Sequence, residues 1–143
     1  MTPINLWVPG TPRPKGSMRH VGKGRMVEQL AGSGDWRAAV AYAARQKLAE
    51  LERLGNPPGA YLDAVRVTIR LQFAPPKSWK GYARPTSRAT GDVDKHARNI
   101  LDALVDAGVI KDDAQVASLR VQKHYCHGHE IPGADILIGE AED

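Results

Sequence analysis

The sequence predicts an α+β fold, in which a small, mostly antiparallel mixed sheet of four or five strands has two helices on one side. Two observations carry this prediction. Residues 65–73 alternate between apolar and polar side chains, which is typical of a strand with one buried face. Residues 35–52 and 92–107 instead repeat their apolar side chains at helical spacing. The 143 residues suit one domain, 1–143, with a modest core.

The first half of the chain begins with a short predicted strand at residues 4–8. Residues 9–25 follow as a basic segment rich in proline and glycine, part of which fits a hairpin around residues 22–24. The helix predicted at 35–52 is stopped by the glycines and prolines of residues 55–59. We therefore expect one strand, a basic loop or hairpin, and one helix in this half.

The second half of the chain begins with the strand at 65–73, whose exposed face is basic. Residues 74–91 predict a long loop, and loops of this length inside compact domains are usually functional or disordered. Gly108 is placed to end the helix that follows this loop. The remaining predicted elements are a helix at 92–107 and strands at 116–125 and 134–138.

The composition favours an anionic partner. The formal net charge is +4, with 25% charged and 42% hydrophobic residues, which is ordinary for a globular protein and compatible with a polyanionic ligand. Cys126 is the only cysteine, so no disulfide can form within the chain and a reducing compartment is expected. The first residues lack a basic and apolar signal peptide, and no apolar run is long enough to span a bilayer. We expect a cytoplasmic protein, without a membrane or a small-molecule cofactor.

Two pairs of acids flank the second helix of this basic chain. Asp92 and Asp94 stand at its start, and Asp112 and Asp113 follow its end. Taken separately, the first pair is explained by helix capping and the second by a turn. Taken together, the four acids indicate a divalent-metal site. Carboxylates at such short distances repel one another unless protons or cations lie between them. They meet only if the next strand runs back beside the helix start, or if the preceding loop folds across.

Arg98 lies one helical turn after Asp94 and one turn before Asp102. The simplest interpretation is an i, i+4 ladder of ion pairs on the helix surface. The alternative is a cation beside the metal site that stabilises charge on a phosphate during its transfer.

A cluster of histidines and a cysteine follows the strand at 116–125. Zinc sites usually take ligands from two separated segments, and no second cluster of Cys or His residues exists here. We therefore favour polar residues at a strand end over a zinc site. The cluster consists of His124, Cys126, His127 and His129.

With these motifs, the chain resembles the RusA family of Holliday junction resolvases, which is common in phages and prophages. The family's signature is Asp-x-Asp-Asn, a lysine four residues after the second Asp, a helix ending in Asp-Ala-Leu, a Gly, and then Asp-Asp-x-Gln-Val. The matching residues of this chain are Asp92-Val93-Asp94, Asp102-Ala103-Leu104, Gly108 and Asp112-Asp113-Ala114-Gln115-Val116. Residues 12–16 and 76–79 also resemble phage members, so the likeness covers most of the chain.

The resemblance implies catalytic, metal-binding aspartates at Asp92, Asp94 and Asp113. The family's catalytic lysine falls on Arg98, which keeps the positive charge but is not a proton donor at neutral pH. The family's asparagine falls on Lys95. The resemblance leaves open whether Asp102 and Asp112 also contact metal, since both are parts of the matching motifs.

The resemblance implies a homodimer that resolves four-way DNA junctions in recombination and repair and depends on Mg²⁺. The homodimer would make paired symmetric nicks that leave 5′-phosphate ends. Two Mg²⁺ ions per site, replaceable by Mn²⁺, would activate a water and steady the leaving 3′ oxygen. The alternatives are an inactive branched-DNA-binding protein of this fold and a metal nuclease that acts on flaps or single strands.

Basic residues of both loops are the expected nucleic-acid contacts, because they can bind the phosphate backbone. Trp79 or Tyr82 can stack on unpaired bases near a branch point. Ordinary packing of these two rings under the loop is the simpler interpretation. The loop residues concerned are Lys15, Arg19, Lys77, Lys80, Arg84 and Arg88, and Lys95 at the start of the second helix is a further expected contact.

Overall fold

The structure, a computed structural model, describes residues 3–16, 18–20, 26–28, 32–55, 61 and 63–141. Its elements in chain order are the strands β1 (Ile4–Pro9), β2 (Met18–His20) and β3 (Met26–Glu28), the helix α1 (Ser33–Arg53), the strand β4 (Val65–Phe73), the helix α2 (Val93–Asp106), and the strands β5 (Val116–Tyr125) and β6 (Gly133–Glu140). Short 3₁₀ turns at Arg88–Thr90 and Asp113–Gln115 precede α2 and β5.

The main sheet has four strands in the order β1-β6-β4-β5. β6 pairs antiparallel with both β1 and β4, whereas β5 pairs in parallel with β4. A parallel pair needs a long crossover, which the loop after β4 and helix α2 supply here. A separate two-stranded antiparallel sheet joins β2 to β3. The mixed, mostly antiparallel sheet with two helices is confirmed, and so is the hairpin, whose connecting residues 21–25 lie outside the described residues.

One face of the sheet carries the core, because alternate residues of its strands are apolar. Both helices contribute to the same core: α1 packs on β1, α2 packs on β5, and the two helices pack against each other. The fully buried side chains of this core include Ile4, Val8, Val40, Ile69, Leu71, Ile100, Leu104, Ile136 and Ile138. Of the strands in the main sheet, β5 is the exception, since none of its side chains is fully buried.

Helix α2 is held in place by its sequence at both ends and along its buried face. It ends in a Schellman motif: the N–H of Gly108 donates to the carbonyl of Val105, and the N–H of Val109 donates to that of Leu104. Gly108 adopts φ 78°, so it ends the helix as predicted. On the buried face, Asn99 Nδ2 donates to the carbonyl oxygens of Arg13 at 2.9 Å and Ser33 at 3.1 Å. This side chain ties two distant segments to α2.

Most predicted boundaries agree with the structure, and the differences lie at the strand ends and on β5. The predicted strands 65–73 and 116–125 coincide with β4 and β5, while β6 is longer than the predicted 134–138. Leu119 shares the inward face of β5 with Val121, as its register with Val67 shows, yet it is 45% exposed. The reason is that β5 lies at an edge of the sheet, beyond most of the helical layer. No helix in the described ranges is long and apolar enough to cross a membrane.

Candidate metal and nucleic-acid site

The start of α2 presents Asp92 to solvent. Asp92 occupies the N-cap position, but its side chain makes no capping hydrogen bond and is 72% exposed. Asp94, in the first helical turn, is exposed as well. The capping explanation therefore does not account for the Asp92 carboxylate. Both carboxylates are left available to a ligand.

The backbone just before Asp92 is held tightly. Gly91 has φ 79°, and an added Cβ would lie 2.7 Å from Pro14 Cγ and 3.0 Å from His96 Nε2. A side chain at this position would be strained by its φ and would clash with a proline ring. Glycine therefore allows residues 14 and 96 to pack against the turn that delivers Asp92.

Two side chains beneath this turn bind its carbonyl oxygens. Lys123 of β5 donates through Nζ to Gly91 O at 2.7 Å and to Thr90 Oγ1 at 3.1 Å. His96 Nε2 lies 2.6 Å from Thr90 O, and because a carbonyl can only accept, Nε2 carries the proton. Together these contacts fix the backbone that positions Asp92.

His96 is fully buried, and its ring packs edge-to-face on Phe73 with the centroids 5.6 Å apart. Burial lowers the pKa of His96 and outweighs the opposing hydrogen bond to Thr90. The nearby Lys123 charge lowers this pKa further. The ring is therefore neutral at pH 7, and its buried Nδ1 has no hydrogen-bond partner among the described residues.

Beyond the other end of α2, the Asp-Asp-x-Gln motif forms a turn that side-chain hydrogen bonds hold in place. Asp112 Oδ1 accepts from the N–H of Ala114 at 2.8 Å, and Gln115 Oε1 accepts from the N–H of Asp112 at 3.1 Å, which completes a capping box. Gln115 Nε2 donates to the carbonyls of Tyr61 and Asp63, at 2.8 and 3.1 Å. The motif thus has a structural purpose at its first and fourth positions.

Asp113 is the member of this motif that is left exposed. The hydrogen bond from Ala114 lowers the pKa of Asp112. The neighbouring Asp112 carboxyl raises the pKa of Asp113, because the two groups can share one proton that Asp113 retains. The negative charges of Asp112 and Asp102 raise the pKa of Asp113 further. A cation bound here would relieve that repulsion.

Acids near this end of α2 are already partly neutralised. Lys15 Nζ lies 2.7 Å from Asp102, and Arg37 Nη1 lies 3.7 Å from it. Arg37 also binds Asp106 with two hydrogen bonds, which lower the pKa of Asp106. Lys15, which the sequence suggested as a nucleic-acid contact, is engaged in this ion pair. Asp102 and Asp106 line an open groove together with Asp113.

The two acid pairs lie far apart within one chain. Asp113 is close to Asp102, which is eight residues along the helix from Asp94, or about 12 Å of helical rise. The strand after the motif does run back to the helix start, where Lys123 reaches Gly91, but Asp113 precedes that strand. The described residues hold no group of three or more possible metal ligands. Within one copy they do not fit a metal ion shared by Asp92, Asp94 and Asp113.

Arg98 and Lys95 extend from the exposed flank of α2 beside Asp94. Arg98 is exposed and forms no ion pair or side-chain hydrogen bond with any residue that the structure describes, so the predicted ladder with Asp94 and Asp102 is not present there. Lys95 Nζ lies 4.0 Å from Asp92. Both cations therefore remain available to a phosphate.

The loop at 74–91 carries its basic residues on the surface. Trp79 packs on the rings of Tyr125 and His127, with centroids 5.4 and 4.9 Å apart, and donates through Nε1 to Ala83 O at 2.7 Å. The packing interpretation therefore holds for Trp79, whereas Tyr82 is 80% exposed and free to stack on a ligand. The exposed basic residues of this loop are Lys77, Lys80, Arg84 and Arg88. The other predicted contact, Arg19, lies on β2, and its side chain is outside the described part of the chain.

Sequence reasoning missed both Lys123 and His96. The available signal was the position of Lys123 on the inward face of a strand, where a lysine needs a partner. In the cluster after β5, Cys126 is buried, and the described residues there form no group of three or more possible metal ligands. Burial lowers the pKa of His124 and raises that of Cys126.

Residues 8–138, nearly the whole chain, match the family described as Endodeoxyribonuclease RusA. The protein belongs to this family. A curated relative, the uncharacterized protein YqaN of Bacillus subtilis (strain 168), is 39% identical over 64 residues. That alignment covers 45% of this chain but only 41% of the relative, so the chain spans about two fifths of the relative's length. The family match includes both acid pairs and the basic loop.

Proposed function

We propose that the protein is a Mg²⁺-dependent endodeoxyribonuclease that resolves four-way DNA junctions by paired nicks. Membership of the RusA family supports the nuclease class. The observation that carries the proposal is the pair Asp92 and Asp94, exposed at the start of α2. Lys123 and His96 hold the backbone just before Asp92, and no capping bond engages its side chain. Exposed carboxylates on such a fixed backbone, where Asp92 has only the 4.0 Å contact with Lys95, favour a divalent cation as their ligand.

The third carboxylate, Asp113, comes from a second copy of the chain in this proposal. Within one copy it lies near Asp102, which is about 12 Å of helical rise from Asp94. A homodimer with two-fold symmetry can place Asp113 of each copy beside Asp92 and Asp94 of the other. It then contains two equivalent sites, which suits two symmetric cuts in one junction.

The edge of β5 is the surface that we assign to this dimer. β5 has ten residues, lies at the edge of the sheet, and exposes Leu119. Long exposed edges of this kind are normally covered or paired. Antiparallel pairing of β5 with its copy brings the start of one strand, which follows Asp113, to the end of the other. That end lies near Asp92, because Lys123 reaches Gly91 there.

The remaining residues take roles that follow from their positions. A divalent cation held by the three carboxylates would activate a water and stabilise charge on the scissile phosphate. Arg98, exposed on the same flank as Asp94, contributes a fixed positive charge beside that phosphate. Lys95 and the basic residues of the loop at 74–91 bind the flanking backbone, and Tyr82 stacks on a base at the branch.

Mixing two inactive variants tests the shared site. Asp94→Asn and Asp113→Asn should each abolish nicking of a four-way junction in Mg²⁺ while leaving binding in EDTA intact. When the two variants are co-expressed with different tags and purified as a mixed dimer, one of the two sites regains all its carboxylates. Nicking of one strand should then return. Continued inactivity of a verified mixed dimer would place all three residues in one copy or remove one of them from the site.

The alternatives are separated by substrate and metal. An inactive DNA-binding protein binds junctions but does not nick them in Mg²⁺ or Mn²⁺. A nuclease of another specificity prefers flaps or single strands over four-way junctions at equal concentration. Light scattering of the free protein measures the mass, and a monomer both free and on the junction would exclude the symmetric mechanism.

A further inference from the structure

The sheet face opposite the helices carries three arginine side chains close together. Alternation places Arg66 and Arg70 of β4 and Arg120 of β5 on this face, and the register sets Arg120 opposite Thr68, midway between the other two. The spacing of strand residues separates Arg66 from Arg70 by about 13 Å, and Arg120 lies one strand, about 5 Å, to the side. We define the open face as the outward positions of β1, β6, β4 and β5. The three arginines form a triangle on this open face.

These arginines are not neutralised by the protein around them. Arg66 and Arg120 are exposed and Arg70 is half-buried, and none forms an ion pair or side-chain hydrogen bond with a described residue. Asp135 is the one acid at the outward positions of the described strands, and it lies beyond ion-pair distance of Arg70. Arg120 lies diagonally across from Arg66 and Arg70, within reach of these long side chains, so an anionic ligand bound between them would offset their mutual repulsion.

The neighbours of the arginine triangle suit a nucleic-acid backbone. Trp7 of β1 is 42% exposed and lies over Gly133, where an added Cβ would be 2.5 Å from its ring. Leu137, 38% exposed, continues this apolar strip beside Thr68. At the remaining outward positions of β4 and β5, the exposed Thr68 and Ser118 and the half-buried Gln122 can donate hydrogen bonds to phosphate oxygens. Gln72 is buried and already donates to Ile131 O.

The open face is continuous with the basic loop. The charges of Arg70, on the open face, and Arg84, in the loop, both act on His124, and both lower its pKa after the larger effect of burial. The same loop ends at Thr90 and Gly91, directly before Asp92. Positive charge therefore runs from the candidate cleavage site, over the loop, and onto the opposite face of the sheet.

We infer that the open face of the sheet, through Arg66, Arg70 and Arg120, binds the phosphate backbone of a DNA arm away from the cleavage site. This inference rests on the proposed function for the identity of the ligand. It adds a second contact surface that neither the acid motifs nor the basic loops include. An arm leaving the cleavage site would cross the loop at 74–91 and turn onto this face.

The experiment compares two double variants that remove the same charge. Arg66→Gln/Arg120→Gln changes the open face, and Lys47→Gln/Arg53→Gln changes α1, away from both surfaces. Binding to a four-way junction is measured by fluorescence anisotropy in EDTA over a series of salt concentrations. The open-face variant should lose roughly tenfold or more in affinity, and its plot of log K against log salt should be shallower by about 2, because two phosphate contacts are lost. The α1 variant should match the wild type.

Three further readouts decide between outcomes. The junction concentration needed for half-maximal nicking should rise in the open-face variant in step with its loss of affinity, and thermal melting should match the control. Equal binding by wild type and both variants would overturn the inference while leaving the proposed function intact. A changed mass in light scattering would make the open face an interface between copies and overturn the inference as well. A wild type that neither binds nor nicks junctions would overturn both.

Discussion

The two ends of α2 carry the same kind of residue in opposite circumstances. At the start, Asp92 and Asp94 are exposed and without a capping bond, while the backbone beneath them is fixed by Lys123 and His96. Toward the end, Asp102 and Asp106 are bound by Lys15 and Arg37. The comparison teaches that the number of carboxylates does not identify a functional group. At the start of α2, by contrast, the backbone is held in place while the carboxylate side chains stay exposed.

The largest expected effect separates the two ends directly. Asp94→Asn should lower the nicking rate roughly 1,000-fold or more, because a metal ligand supplies several kcal/mol to the transition state. Asp102→Asn should keep nicking and lower the free energy of unfolding by about 1 kcal/mol or less, since its ion pairs are partly solvated. Junction nicking and urea denaturation measure both quantities. An inactive Asp102→Asn variant together with an active Asp94→Asn variant would contradict this difference between the two ends of α2.

Arg98 tests whether the free cation beside Asp94 is used. Arg98→Ala should lower the nicking rate about 100- to 1,000-fold, the usual effect of losing one preorganised charge at a transition state. Arg98→Lys should keep at least partial activity, because it retains the charge. Arg53→Ala, an exposed arginine on α1, serves as the control in the same assay. Near-normal turnover of Arg98→Ala would reduce this residue to an ordinary surface charge.

Replacing Lys123 tests whether the fixed backbone before Asp92 matters for nicking. Lys123→Met removes the bonds to Gly91 O and Thr90 Oγ1 but fits an inward-facing position, so the fold should persist. We expect nicking at saturating junction to fall about 10- to 100-fold, since small displacements of a catalytic group are costly. Binding in EDTA should be unchanged, which marks a positioning residue. Lys47→Met on α1 is the matched control, and equal loss of binding and nicking would instead indicate a direct DNA contact.

The smallest expected effect is a pH dependence of stability from His96. Its pKa is lowered in the folded protein, so the unfolded chain binds the proton first as the pH falls. Stability should therefore be full above about pH 6.5, the unfolded value, and decline below it. His96→Leu should show a weaker decline in urea denaturation between pH 7.5 and 5.5, with a residual slope from His124. His129→Gln, an exposed control, should decline like the wild type.

Local patterns predicted the elements well and the site only in part. Alternation in Val65–Phe73 and the position of Gly108 are encoded within a few residues, so the strand and the helix end were correctly predicted. The sequence left open whether Asp113 meets Asp94, because that depends on the direction of β5 relative to α2, and the metal-site residues stay a prediction. Lys123 was missed for the same reason: its partner Gly91 is distant in the sequence and meets it only in the folded sheet.

The position of β6 has a consequence for how the chain folds. β6 lies between β1 and β4, and its register joins Ile4 to Ile138, near the two ends of the described chain. Contacts between such distant segments are slow to form, because the intervening chain loses much of its freedom first. Until β6 inserts, β1 and β4 each expose an open edge that invites pairing with other chains. The sheet therefore assembles late and in one step, and chains interrupted before Gly133 should be prone to aggregation.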